Sequence, residues 1–183
     1  ASGYAPENTV AAFDLAREMG VGEVETDVRL TRDGVVVLCH DGDLGRFGHA
    51  GCQVEAMALA ELRALDVGSW FSPHLYGGES ILSLPELLAR HGEAFTYHIE
   101  LKGPGPKLVA ATRAVVDSTG LVDRCVFTSF DLEALAHLRR LDSAARLGWL
   151  VGQIDVAACE QAQRLGLFQL CPRAAGIDAA GVA

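Results

Sequence analysis

Short apolar runs alternate with stretches of helical periodicity along this chain, and that alternation restricts it to an α/β architecture built on parallel strands. The clearest run is Val35-Val36-Val37-Leu38-Cys39, bounded by Asp33-Gly34 before it and His40-Asp41-Gly42 after it. A continuous β-branched run of this kind predicts a strand buried on both faces. Further strands are expected within Gly22 to Leu30 and at Phe95–Leu101, Cys125–Ser129, Leu147–Val151 and Leu167–Cys171, about six in all. Helices are expected from Asn8 to Met19 with Gly20 as the stop, and from a Ser83-x-x-Glu86 capping box to His91-Gly92. Others are expected at Pro106–Ser118 and after the caps Asp131 and Asp155, with a short one near Ala58–Leu65.

A doubly wound open sheet and a TIM (β/α)8 barrel both accommodate this order. A barrel ordinarily takes about 250 residues, against 183 here. Polar residues clustered at strand ends favour the barrel, with its first and last strands outside this chain. Residues 1–183 then read as a single domain, with an insertion at about 42–82 after the His40 strand.

A net charge of −9 and a pI near 5.0 leave no basic stripe for phosphate backbones, which argues against nucleic acid and anionic membrane surfaces as partners. No apolar run approaches the roughly 20 residues of a membrane span. The five cysteines are scattered without C-x-x-C spacing, which reads as reduced structural thiols and a cytoplasmic, reducing compartment. The chain starts at Ala1 without a start methionine, so a secreted form stays open.

Glu25 and Asp27 stand two apart in an expected strand, so both carboxylates leave it on one face. On its own the pair reads equally as a solvated edge or as partners of Arg29. Glu100 and Lys102 repeat the spacing at the end of a later strand. The chain has two lysines against thirteen arginines, which makes the Lys102 ammonium a selective choice, suited to a phosphate oxygen. Three carboxylates from two strand ends make a hard-oxygen cluster fit for Mg²⁺ or Ca²⁺. His40 closes the valine-rich strand and emerges beside the carboxylates if the sheet is parallel, where it is placed for acid/base work. His98 shares the parity of Glu100 and reads as an inward barrel-layer residue. His49, His74, His91 and His137 read as surface.

The series Pro6-Glu7-Asn8-Thr9, Ala12-Phe13, Glu25-Thr26-Asp27-Val28, Thr31-Arg32-Asp33-Gly34, His40-Asp41, Arg46, Ser83-Leu84-Pro85-Glu86 and Glu100-Leu101-Lys102 resembles, in order and spacing, the glycerophosphodiester phosphodiesterase family. The resemblance implies a TIM barrel and a small-molecule glycerophosphodiester substrate, cleaved to glycerol 3-phosphate and an alcohol. It casts Glu25, Asp27 and Glu100 as ligands of a divalent cation, Mg²⁺ or Ca²⁺. His40 becomes one of two acid/base histidines and Lys102 a phosphate contact. The family's His-Arg-Gly would fall just ahead of Ala1, so the second histidine is expected upstream. Residues Leu44 to Ser80 correspond to the family's capping insertion, in which Trp70 and Phe71 either meet substrate or pack the insertion down. Ser129, Phe130 and Trp149 stand at later strand ends as further pocket candidates. Two other readings remain at this point: a non-catalytic barrel that binds metal or glycerophosphodiester, and a lipid-directed phospholipase of the same barrel type.

Overall fold

The computed structural model describes residues 1–103 and 105–174; the reading of the chain beyond residue 174 falls outside them. The elements in chain order are α1 (Val10–Glu18), β1 (Glu23–Leu30), β2 (Val36–Leu38), α2 (Leu59–Leu62), α3 (Pro73–Tyr76), α4 (Leu84–His91) and β3 (Thr96–Leu101). They continue with α5 (Pro106–Thr119), β4 (Cys125–Ser129), α6 (Leu132–Leu141), β5 (Leu147–Val151), α7 (Val156–Leu165) and β6 (Gln169–Pro172).

Among the described residues the six strands form one sheet in the order β2-β1-β3-β4-β5-β6. Along β1-β3-β4-β5-β6 every pairing is parallel, and once β2 is set aside each strand lies beside the one before it in the chain. A doubly wound sheet must reverse direction somewhere in the order of its parallel strands; among the described residues the parallel strands of this one do not. The winding is that of a (β/α)8 barrel wall.

The one departure from parallel sense is β2, which the sequence reading aligned with the rest. It pairs antiparallel with β1, Val28 opposite Leu38 and Leu30 opposite Val36. The reason is the connection. A parallel return needs a crossover of about a dozen residues, whereas Thr31 to Val35 closes a tight hairpin. Thr31 N–H donates to the Val35 carbonyl at 2.9 Å and the Val35 N–H returns to Thr31 Oγ1 at 2.9 Å. Gly34 supplies the left-handed turn residue at φ 82°.

Strand β2 is buried on both faces, as its composition predicts. Val36 and Leu38 enter the main core with Val28, Leu84, Leu88, Tyr97 and Ile99. Val37 and Cys39 face the other way, into a smaller core of Leu44, Val54, Leu62, Val67 and Ile81. The period of two thus clamps the segment between β2 and α4 onto the outside of the hairpin. That segment is mostly turns and short 3₁₀ pieces, and the helix expected over Ala58–Leu65 shrinks to the single turn α2. Asp66 holds it in shape, its carboxylate accepting from the N–H groups of Gly68, Ser69 and Gly78, each at 2.8 Å. His49 adds a 2.8 Å contact to the Asp66 carbonyl.

Helix starts follow their sequence signals. Thr9 caps α1, its hydroxyl accepting from Ala12 N–H. Ser83 and Glu86 close the expected capping box on α4, with Ser83 N–H and Oγ at 3.0 and 2.6 Å from Glu86 Oε2.

His91 overturns its reading as a surface residue. Its side chain is 1% exposed and its ring lies 6.3 Å from that of Phe13 and 5.1 Å from that of Phe95. Among the described residues neither ring nitrogen finds a hydrogen-bond partner. Asp14 Oδ1 stands 3.5 Å from Nε2, but that carboxylate is already taken by Arg90 through two bonds of 2.7 and 2.6 Å. Burial therefore pushes the His91 pKa below 6.5 despite Asp14, and the ring is folded neutral. An unfolded chain binds the proton that the core refuses, so this residue withdraws stability as pH falls through 6.5. Urea unfolding at pH 7 and pH 5 is expected to show a smaller acid loss for His91→Leu than for the parent protein. An unchanged difference would mean the ring is protonated in place.

Candidate active site

The parallel register brings the carboxylates together. Asp27 lies directly beside Glu100, and Val28 beside Leu101, in the β1–β3 pairing. Side chains two apart share a face, so Glu25, Asp27, Glu100 and Lys102 all turn toward the same side of the sheet. One oxygen from each of Glu25, Asp27 and Glu100 lies within 4.8 Å of the others. These three residues line a cavity of about 540 Å³ with Asn8, His40, Lys102 and Phe130.

Lys102 is the cation inside this cluster. Its Nζ is 2.8 Å from Glu100 Oε1 and 3.3 Å from Asp27 Oδ1. Burial opposes the ammonium charge, but the hydrogen bond to Glu100 and the two carboxylate charges outweigh it and raise the Lys102 pKa. Glu100 is held above the usual carboxylate range by burial first, with Lys102 pulling it back and Asp27 pushing it up. Glu25 makes no ion pair among the described residues and feels Lys102 only as a weaker, more distant charge. Although exposed by area, its carboxyl loses water at the cavity wall and then meets the charges of Asp27 and Glu100, which together push its pKa up to about 8. One ammonium among three carboxylates leaves a deficit of positive charge. The donor set, all hard oxygens, fits a divalent cation of the Mg²⁺ or Ca²⁺ kind.

Asn8 is a site residue that sequence reasoning placed only within a motif. It sits ahead of the Thr9 cap in the left-handed region, φ 58°, a conformation that asparagine tolerates better than most residues. Its amide nitrogen donates to Asp27 Oδ2 at 3.0 Å, while its carbonyl oxygen accepts from Thr26 Oγ1 at 2.8 Å. The loop before α1 is thereby locked to β1, and one Asp27 oxygen is oriented. The signal in the sequence was an asparagine directly before a helix cap.

His40 reaches the same cavity because the antiparallel hairpin folds back on β1. Cys39 N–H donates to the Asp27 carbonyl at 3.0 Å, and the next residue stands at the rim. The imidazole Nδ1 is 2.8 Å from Asp41 Oδ1, so the adjacent acid holds the ring despite the alternation that normally separates neighbours. That contact, foremost, keeps Asp41 below the usual carboxylate range. Arg46 Nε lies 3.4 Å from Asp41 Oδ2, and another guanidinium nitrogen pairs with Glu7. The guanidinium also covers the rings of Phe47 and Trp70 at 5.0 and 5.1 Å. Trp70 and Phe71 pack the insertion: the indole N–H donates to the Val67 carbonyl at 3.0 Å, and the two rings meet edge-on.

Of the later strand ends, Phe130 lines the cavity, with Lys102 Nζ 5.8 Å from its ring centre. Ser129 is buried and its hydroxyl donates to the Leu101 carbonyl at 3.1 Å. Trp149 donates to the Phe130 carbonyl at 3.2 Å and lines a neighbouring groove. His98 points inward as its parity requires, 3.0 Å from Glu23, one layer below the carboxylates.

Residues 1–177 match the model of the glycerophosphoryl diester phosphodiesterase family. A glycerophosphodiester phosphodiesterase of Bacillus subtilis is 30% identical over 156 residues, 77% of this chain and 53% of that protein. The enzyme of that name from Caldanaerobacter subterraneus is 31% identical over 175 residues, 91% of this chain and 70% of its own length. Among solved structures, an Oleispira antarctica phosphodiesterase in complex with its product sn-glycerol-3-phosphate superimposes with a TM-score of 0.91. It shares 32% identity, over 99% of this chain and 75% of that one. The chain spans about half the length of the Bacillus subtilis relatives it matches, 42% and 53%. With a sequential barrel wall, a strand-end carboxylate cluster and matches of this extent, the chain belongs to the glycerophosphoryl diester phosphodiesterase family.

Proposed function

We propose that this chain carries the metal side and one proton-transfer group of an enzyme that hydrolyses glycerophosphodiesters to glycerol 3-phosphate and an alcohol. The observation that supports it most directly is the convergence of Glu25, Asp27, Glu100, Lys102 and His40 on one cavity in a chain of this family. The related Oleispira antarctica enzyme binds sn-glycerol-3-phosphate, the product this reading requires.

In this reading Glu25, Asp27 and Glu100 hold a divalent cation, Mg²⁺ or Ca²⁺. When bound, such an ion neutralises the charge of a phosphodiester and polarises its phosphorus–oxygen bonds. Asn8 fixes the Asp27 oxygen that does not face Lys102. Lys102 keeps a second positive charge at the cavity, where a phosphate oxygen can replace a carboxylate oxygen as its partner. His40 takes or gives a proton through Nε2, because Asp41 holds Nδ1 and so sets the tautomer. Phe130 offers an apolar wall to the glycerol or alcohol portion. The acidic surface and small cavity suit a water-soluble diester, and among the described residues no helix is long and apolar enough to cross a membrane.

The protein in its full natural chain is expected to release glycerol 3-phosphate from glycerophosphocholine with Mg²⁺ or Ca²⁺ and to stop when EDTA is added. Cation binding without turnover of any glycerophosphodiester would favour the non-catalytic barrel, and turnover confined to intact phospholipid vesicles the lipid-directed relative. His40→Asn is expected to lower kcat by about 10²–10⁴-fold while isothermal titration still detects cation binding. Loss of cation binding in that variant would place His40 among the ligands instead. Glu25→Gln separates the charge argument from the chemistry. It is expected to raise the melting temperature of cation-free protein at pH 8.5, where it removes an uncompensated carboxylate, and to abolish the rise that Mg²⁺ or Ca²⁺ gives the parent. A lower cation-free melting temperature would contradict the repulsion.

A further inference from the structure

Arg29 is the third residue of the row Glu25, Asp27, Arg29 on one face of β1. A guanidinium two residues from a buried carboxylate is well placed to pair with it. Here its donors go elsewhere. Nε and Nη2 both donate to the main-chain carbonyl of His40, at 3.2 and 2.9 Å, and Nη1 donates to Glu55 Oε1 at 2.7 Å. The Arg29 side chain is 14% exposed, so its position is set by these partners more than by solvent. Gly42 lies against the same group: a Cβ there would stand 3.2 Å from Nη1 and 3.6 Å from Glu55 Oε2. The Gly42 carbonyl in turn accepts from Val54 N–H at 2.9 Å. The turn 40–42 is therefore seated on the Arg29 fork, and the fork is held from behind by the insertion.

We propose that Arg29, fixed by Glu55, is the positioning residue for His40. This rests on reading His40 as the proton-transfer group. The hairpin ladder ends where Cys39 donates to the Asp27 carbonyl; at the next residue Arg29 takes over, through two hydrogen bonds to one oxygen. Asp41 fixes the ring of His40, whereas Arg29 fixes the backbone from which the ring hangs. Glu55 has a second consequence. By occupying Nη1 it keeps the guanidinium off Asp27, so that Lys102 is the cation at the carboxylates. The insertion thereby acts on catalysis without touching substrate.

Arg32 provides the control. It also ties the insertion to the hairpin, through Ala56 O at 2.7 Å and Glu61 at 2.8 Å, but these contacts do not include residues 40–42. In the full natural chain with glycerophosphocholine, Arg29→Met is expected to lower kcat by about 10- to 100-fold, the cost of a small misplacement of a reacting group. KM and the cation dissociation constant should stay within about threefold. Glu55→Gln should lower kcat in the same direction by a smaller factor, and Arg32→Met should leave it within about threefold. Equal losses in R29M and R32M, or a loss in R29M matched by weaker cation binding, would overturn the proposal. The His40 imidazole proton resonance gives a readout that needs no turnover: it is expected to shift or broaden in R29M and not in R32M. If it moves so in a protein that cleaves no glycerophosphodiester, the positioning stands and the activity reading falls. If it is unchanged in R29M, the positioning falls whatever the activity.

Discussion

Mutual repulsion of three carboxylates is the constraint around which the rest of this structure is arranged. Glu25, Asp27 and Glu100 each bring one oxygen within 4.8 Å of the others, and their ionised forms repel at that spacing, a placement that a chain free to relax would avoid. The parallel β1–β3 register removes that freedom, because slipping it by one residue would turn every side chain of a strand to the other face and expose Val24, Val28 and Ile99 in place of the acids. The apolar core thus enforces the acidic cluster. Lys102 relieves it in part, and Asn8 uses a strained backbone to hold one oxygen. What remains unrelieved falls on Glu25, whose pKa is raised by burial first and then by the charges of Asp27 and Glu100.

The second constraint is the sense of β2. A parallel strand at this position would need a crossover helix and would leave its following loop at a distance set by that helix. A five-residue hairpin, closed by Thr31 and Gly34, instead returns the chain directly alongside Asp27. The return delivers His40 to the carboxylates and leaves the outer face of β2 uncovered. Leu44, Val54, Leu62, Val67 and Ile81 cover it. The insertion is thus required by the hairpin that places the histidine, and it brings Glu55 and Arg46 to the site as a consequence of burying Val37 and Cys39.

Much of this was legible in the sequence because it depends on period. The period of two along Glu25-Thr26-Asp27 and Glu100-Leu101-Lys102 put four side chains on common faces, and the valine run announced a strand buried twice. The sense of β2 was misread because strand composition carries no direction; only the shortness of Thr31–Val35 did, and it was outweighed by the parallel pattern elsewhere. His91 was misread because a histidine at a helix end resembles a solvated cap, and its burial comes from Phe13 and Phe95, which are distant in sequence. Asn8 and Arg29 escaped for a related reason. Their roles lie in hydrogen bonds to partners 19 and 11 residues away, and no local pattern encodes those.

Arg29 and Lys102 show how two cations with similar placement come to do different things. Each lies two residues beyond a cluster carboxylate on the same strand face, and Coulomb attraction alone would draw both inward. The lysine has a single point charge on a flexible stem and follows that attraction, settling between Asp27 and Glu100. The arginine has a planar fork that gains more from several directed bonds than from one ion pair. Hydrogen bonds from a charged donor contribute on the order of 1.5–3 kcal/mol each, and Arg29 makes two to one carbonyl besides its contact with Glu55. The exposed Arg32–Glu61 pair belongs to a class worth about 0–1 kcal/mol. Geometry of the head group, more than charge, therefore sorts the two cations: the point charge goes to the carboxylates, and the fork goes to the backbone that carries His40.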